Sequence, residues 1–199
     1  MKQPPLNLTD ITLSQWVGYQ NLYGQALDDR MIDIIAMPDG PDKVDARLLH
    51  DVDLFTQTYS YYTGTPMIEV AEIGIAEVCR VQGAAFVEHR KQAGWLNYFE
   101  VFEWNGDKWK VQPIHKNTGN LTKAEYDKTV DVALIMSDLQ DGKHEAMYDL
   151  CAVYLRKIDE PFTSELIDDR RELMMSLPFN MALTVRKYVL EHIKKLVSR

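Results

Sequence analysis

The sequence has few of the residues, and none of the patterns, that most readily announce a chemistry. It contains no GxxxxGK[ST] loop, no GxGxxG, no GxSxG elbow and no HExxH helix. The best-marked nucleotide-binding, hydrolase and zinc-protease readings therefore have nothing to stand on. Cysteine is scarce. Only Cys79 and Cys151 occur, each in an apolar setting that predicts a buried, reduced thiol rather than a disulfide framework, and this fits a reducing cytoplasm. The five histidines, His50, His89, His115, His144 and His192, are scattered, and none pairs with another histidine or a cysteine at zinc-ligand spacing. No run approaches the roughly 18 uninterrupted apolar residues that span a bilayer. The opening MKQPPLNLTD lacks the apolar centre of a signal peptide, so neither export nor membrane insertion is expected. Positive charge is also in deficit: 22 Lys and Arg stand against 30 Asp and Glu, a net charge of -8. That argues against nucleic-acid binding as the main function, because phosphate contacts need a concentrated basic face. What is plentiful is apolar content, 46% of the chain, enough to bury one good core or two small ones. A single domain over 1–199 is expected.

The sharpest local signals lie between Phe99 and Tyr126. EVFEWNGDKWKVQP reads as a β-hairpin, at about 99–114, with two acceptable two-residue loops: Asn105-Gly106 of type I′ and Gly106-Asp107 of type II′. The second sets Trp104 opposite Trp109, Glu103 opposite Lys110 and Phe102 opposite Val111. Aromatic and opposite-charge cross-strand pairs each contribute about 0.2–1 kcal/mol, which favours that loop. In either register Phe102, Trp104, Trp109 and Val111 share one sheet face, which a small protein must cover.

Before the hairpin, the spacing predicts a helical unit over 9–62. Thr12 and Gln15 form a capping box, with Ile11 and Trp16 as a hydrophobic staple, and the helix should run to about Tyr23 with Gly24 ending it. A second helix from about Ala26 carries Met31, Ile32, Ile34, Ile35 and Met37 until Pro38 stops it. A third, from about Lys43 to Tyr61, has Leu48, Leu49, Val52, Phe55 and Tyr59 at helical spacing. Residues 66–98 follow no clean period, and their β-branched content predicts short strands that extend the hairpin, giving a sheet region over 66–114. From 121 to 199 a bundle of about four helices is expected. Leu121-Thr122-Lys-Ala-Glu125-Tyr126 repeats the staple and box of residues 11–16, which we read as two uses of one capping device. The helices run to about Leu139, from about His144 to Ile158, from about Ser164 to Ser176, and onward from Pro178. The fold class is α+β and mostly α.

Candidate sites are few. Cys151 lies two helical turns from His144, but a buried thiol beside a helix-start histidine accounts for the pair. Asp138 to Glu145 imitates a calcium loop without its alternating acidic positions, and reads as a turn between helices. No catalytic residue, metal or cofactor is expected. Two groups stand as partner-binding candidates. Tyr59, Tyr61 and Tyr62 form either an exposed contact patch or the end of a core helix. Arg186, Lys187, Lys194 and Lys195 either dock an acidic partner or complement the dipole at a helix C-terminus.

The order of ITLSQWVGYQNLYG, EVFEWNGDKWKVQP, LTKAEYDKTVDVALIMSDLQD, YDLCAVYLRKIDEPF and SLPFNMALTVRKYV resembles small assembly proteins of tailed bacteriophages. The similarity is to the tail-assembly-chaperone type and related virion proteins of crAss-like and Bacteroidetes phages, clearest over about 99–190, with residues 64–98 departing as an insertion. The resemblance implies a non-enzymatic protein that binds a tape-measure or tube protein in the host cytoplasm during morphogenesis. Its alternative is a structural tail or neck component of the virion, with homo-oligomerisation open. A reading from another class, a small enzyme or regulatory domain, would need a pocket around His144 and Cys151.

Overall fold

Eleven of the expected apolar stripes and turn signals fall into helices or a small sheet, but not always the ones the sequence favours. The computed structural model describes residue 5 and residues 8–82, 101–111, 123–160 and 165–197. It is mostly helical, with an N-terminal group of helices, a three-stranded antiparallel sheet and a C-terminal cluster of four helices. The chain divides into two compact units, Met1–Ile11 with Gln15–Gly94, and Thr12–Ser14 with Trp95–Arg199.

In the first unit, helix α1 (Leu13–Tyr19) passes through a π-turn (Gln20–Gly24) straight into α2 (Gln25–Ala36). The expected stop at Gly24 does not occur. Glycine ends helices by adopting positive φ, whereas Gly24 keeps helical angles of -58° and -50°. The Gln25 N–H instead donates five residues back, to Gln20 O. At Met37 the backbone turns extended ahead of Pro38, as a residue preceding proline must. Pro41 then opens α3 (Pro41–Thr63) from the first turn, where its missing N–H costs nothing. Gly64, at φ +73°, closes α3 by donating to Ser60 O at 2.8 Å. Tyrosines pack between α1 and α3. The Thr58 hydroxyl donates to Leu54 O at 2.6 Å, so Tyr19 Oη–H is the donor to Thr58 Oγ1 at 3.2 Å. Tyr19 stacks on Tyr62 at 5.8 Å and meets Tyr61 edge-on at 5.5 Å. Gly18 makes room for this packing, since a Cβ there would fall 2.4 Å from Tyr61 Oη.

The strands expected between 66 and 82 are helices, α4 (Met67–Val70) and α5 (Ile75–Gln82). Val78 and Val81 are buried while Ile75 is exposed, so a one-sided helix packed against α3 overrides the β-branched composition. The remaining expected strand residues, 83–98, lie outside the described residues. Arg80 of α5 pairs with Glu77 at 2.7 Å and donates to Pro5 O at 3.2 Å.

In the second unit, strands β1 (Phe102–Trp104), β2 (Asp107–Val111) and β3 (Leu155–Lys157) form a sheet with β2 central. Phe102 faces Trp109 and Trp104 faces Asp107. This corrects the expected Gly106-Asp107 loop: the turn is Asn105-Gly106, with φ of +53° and +78°, as type I′ demands. The two registers differ by two residues, so the same four side chains remain on one face, and all four are buried. Trp104 and Trp109 still touch, diagonally, with ring centroids 5.3 Å apart. The twist-matched turn therefore gives up little of the aromatic contact that favoured its competitor.

Helices α6 (Lys123–Gln140), α7 (Ala146–Tyr154), α8 (Glu165–Met174) and α9 (Phe179–Val197) make up the cluster. The break after α6 falls as expected at Asp141-Gly142, with Gly142 at φ +80°. The capping residues Leu121 and Thr122 lie outside the described residues. Helix α7 stops at Tyr154, four residues short of expectation, because Leu155 turns extended. Its strand places Lys157 beside Trp109 and Leu155 beside Val111. Unpaired β2 backbone groups are worth more to the chain satisfied than one further helical turn. Leu150, Cys151, Leu155, Met174, Leu177 and Phe179 are completely buried. The segment Thr12–Ser14 belongs to this unit: Leu13 N–H donates to Leu177 O at 2.8 Å and Ser14 N–H to Met175 O at 3.0 Å. These carbonyls satisfy donors that a helix start otherwise leaves open.

Candidate interaction surface

Helix α3 has two apolar aspects. One faces α2 and is fastened there. His50 is buried, with Nε2 donating to Leu27 O at 3.1 Å, and Arg30 pairs with Asp53. Lys43 Nζ reaches the end of α2 and the turn after it, donating to Ile35 O at 3.2 Å, Met37 O at 3.0 Å and Asp39 Oδ1 at 3.0 Å. A lysine there meets the orphan carbonyls and the negative pole of the helix. The α2–α3 hairpin is thus held in register by contacts along one side of α3.

The other aspect carries Val44, Leu48 and Val52, which recur every four residues and so follow one stripe. They are 58, 59 and 58% exposed. Towards the C-terminus the same stripe passes half-buried Phe55 and reaches buried Tyr59, whose phenol lies close enough to Arg80 of α5 to interact electrostatically with it. The first unit therefore covers the last turns of this stripe and leaves its first three bare. Asp45 and Asp51 occupy its two shoulders, by the 100° advance per residue of a helix. Residues 25–63 hold eight aspartates and no glutamate against three lysines and arginines, two of which are engaged in the contacts above. On α2, Ile32 and Ile35 are exposed as well.

The residues singled out in the sequence lie elsewhere. Tyr59 and Tyr62 are buried and Tyr61 is half-buried. Burial, with Tyr61 and Tyr19 adding to it, holds the Tyr62 phenol well above the usual tyrosine range. Arg186 is half-buried in α9, its Nε finds no hydrogen-bond partner among the described residues, and burial lowers its pKa. Lys187 is also half-buried, whereas the side chains of Lys194 and Lys195 lie outside the described residues. Arg186 and Lys187 are in the second unit, Tyr59, Tyr61 and Tyr62 in the first.

Two further expectations need statement here. Cys79, expected to be buried, is exposed, while Cys151 is buried; α5 turns its valines inward and its cysteine out. Cys151 and His144 make no metal cluster, and among the described residues no group of three or more His, Cys, Asp or Glu is placed to hold an ion. In the second unit a buried cationic cluster does form. Arg170 pairs with Glu160 and donates to Leu155 O at 3.4 Å, and burial, then the Arg170 charge, lowers the pKa of Arg156. Glu160 also accepts from Lys157 N–H at 2.9 Å, so this cluster ties β3 to α8. Among the described residues, no helix is long and apolar enough to cross a membrane.

No protein-family model matches the sequence, and no curated protein or solved structure matches it. The functional reading therefore rests on the residues themselves. Val44, Leu48 and Val52 went unremarked as a site in the sequence because apolar residues at helical spacing read first as core. The signal available was their placement between Asp45 and Asp51 on a helix that already has a second inward aspect.

Proposed function

We propose that this chain is a non-enzymatic protein that binds another protein, and that it does so in the assembly of a bacteriophage tail. The observation that carries the binding reading is the bare stripe of Val44, Leu48 and Val52 on a hairpin held rigid from its other side. Apolar side chains presented in a contiguous row mark an interaction site more often than a solvent face. The assignment to tail assembly comes from the order of sequence elements described above, and names a tape-measure or tube protein as partner. Co-expression with each of these proteins, followed by gel filtration, tests it. The expected result is co-elution with one of them and absence from purified particles; co-elution with neither removes the assignment to tail assembly. A fixed stoichiometry in purified particles would favour the structural tail or neck component instead.

A further inference from the structure

We infer that the bare stripe of α3 takes a basic amphipathic helix from a partner protein. This rests on the protein-binding reading above, but not on its assignment to phage tails. The stripe advances with the residue spacing of a helix, so its natural complement is another helix laid along it, with its own apolar residues every three to four positions. Charge then selects among helices. Asp45 and Asp51 border Val44, Leu48 and Val52 on opposite sides, and the hairpin around them carries five more negative than positive charges over residues 25–63. Lysine or arginine on the shoulders of an incoming helix meets these carboxylates. An acidic helix is repelled, which supplies discrimination as well as attraction.

The same charge disfavours a second copy as the occupant. Two such faces brought together would set aspartates against aspartates along both edges of the seam. The surface is also prepared in advance: the His50, Lys43 and Arg30 contacts fix α3 against α2, so little ordering accompanies binding.

Two fluorescent peptides of about 20 residues, long enough to cover the stripe, provide the probe. They share one leucine stripe and differ in carrying lysine or glutamate beside it. Anisotropy titrations of the full chain should show the lysine peptide binding more tightly than the glutamate peptide, with affinity falling as salt rises. L48S/V52S should weaken the lysine peptide by about tenfold or more. D45K/D51K should reverse the preference between the two peptides. All four positions lie on the surface or at its edge, so circular dichroism melts of both variants should match the parent.

Equal binding of the lysine peptide by L48S/V52S would mean attraction by net charge alone and would overturn the inference. So would an unchanged preference in D45K/D51K. If sedimentation shows a dimer that L48S/V52S dissociates, the occupant is a second copy and the inference also fails. Peptide binding without co-elution of a tail protein leaves this inference standing while removing the phage assignment.

Discussion

The indole N–H of Trp109 donates to the carbonyl of Trp104 at 3.0 Å, so the hairpin's two tryptophans are joined by a hydrogen bond as well as by ring contact. The bond reaches back across the Asn105-Gly106 turn and satisfies the one polar atom of a side chain that is 1% exposed. Trp109 also receives Lys157 of β3 over its ring, 5.7 Å from the centroid.

Trp109→Ala removes the largest completely buried side chain and should cost about 3–5 kcal/mol. Denaturant melts followed by circular dichroism measure this. A midpoint close to that of the parent would mean that the sheet face is not part of a core.

The turn gives a narrower test. Gly106 sits at φ +78° with nothing near the position a Cβ would take, so Gly106→Ala meets only conformational strain, about 1 kcal/mol. Asn105→Gly, at a position already at φ +53°, should be nearly neutral. If alanine at 106 proves as stable as glycine, the type I′ turn is wrong.

Tyrosine burial sets the behaviour in alkali. The phenols of Tyr19 and Tyr154 are pushed up to about 12 by burial, against 10.0 for a free tyrosine. Below pH 10 the folded and unfolded chains both hold these protons, and stability is full. Between pH 10 and 12 the unfolded chain releases protons that the folded chain keeps, so stability falls as pH rises. Melts from pH 9 to 12 should show this decline, and Tyr19→Phe should shallow it. A flat profile across that range would contradict the burial of these residues. At neutral pH the substitutions separate differently: Tyr19→Phe loses the bond to Thr58 and should cost about 1 kcal/mol, whereas Tyr62→Phe removes a buried hydroxyl with no hydrogen-bond partner among the described residues and should be neutral or stabilising.

The cysteines should react unequally. Cys79 is exposed, while burial raises the pKa of the Cys151 thiol and so withholds the reactive thiolate. An aromatic disulfide reagent should titrate one thiol per native chain, none in Cys79→Ser, and both after denaturation of the parent. Two fast-reacting thiols in the native protein would refute the packing of α7.

Much of this architecture could be read locally, and the exceptions share a cause. The proline and glycine at the ends of α3, the Asp141-Gly142 break and the four buried residues of the hairpin face are all decided within a few residues of themselves. The hairpin register was not, because two legal turns competed and the pair energies did not capture the diagonal contact of Trp104 with Trp109. Leu155 looked like a continuation of Leu150, Cys151 and Tyr154, and only its pairing with Val111, far back in the chain, makes it a strand. On α3 the sequence shows two apolar stripes without showing how much core there is to cover them. His50 marks the covered one only after Leu27 is known to lie against it.

The π-turn at Gln20–Gly24 acts as a phase adjuster. An unbroken α-helix would leave Tyr19 and Leu27, eight residues apart, pointing about 80° from each other. The wide turn absorbs one residue, the interval then counts as seven, and the two buried side chains return to within about 20° of a common line facing α3. One surplus residue in sequence thus becomes a rotation of everything that follows it. Deleting exposed Leu22 should close the turn into regular helix and swing α2 by about 100° relative to Tyr19, so that the tyrosine cluster and the Leu27–His50 contact could no longer be made together.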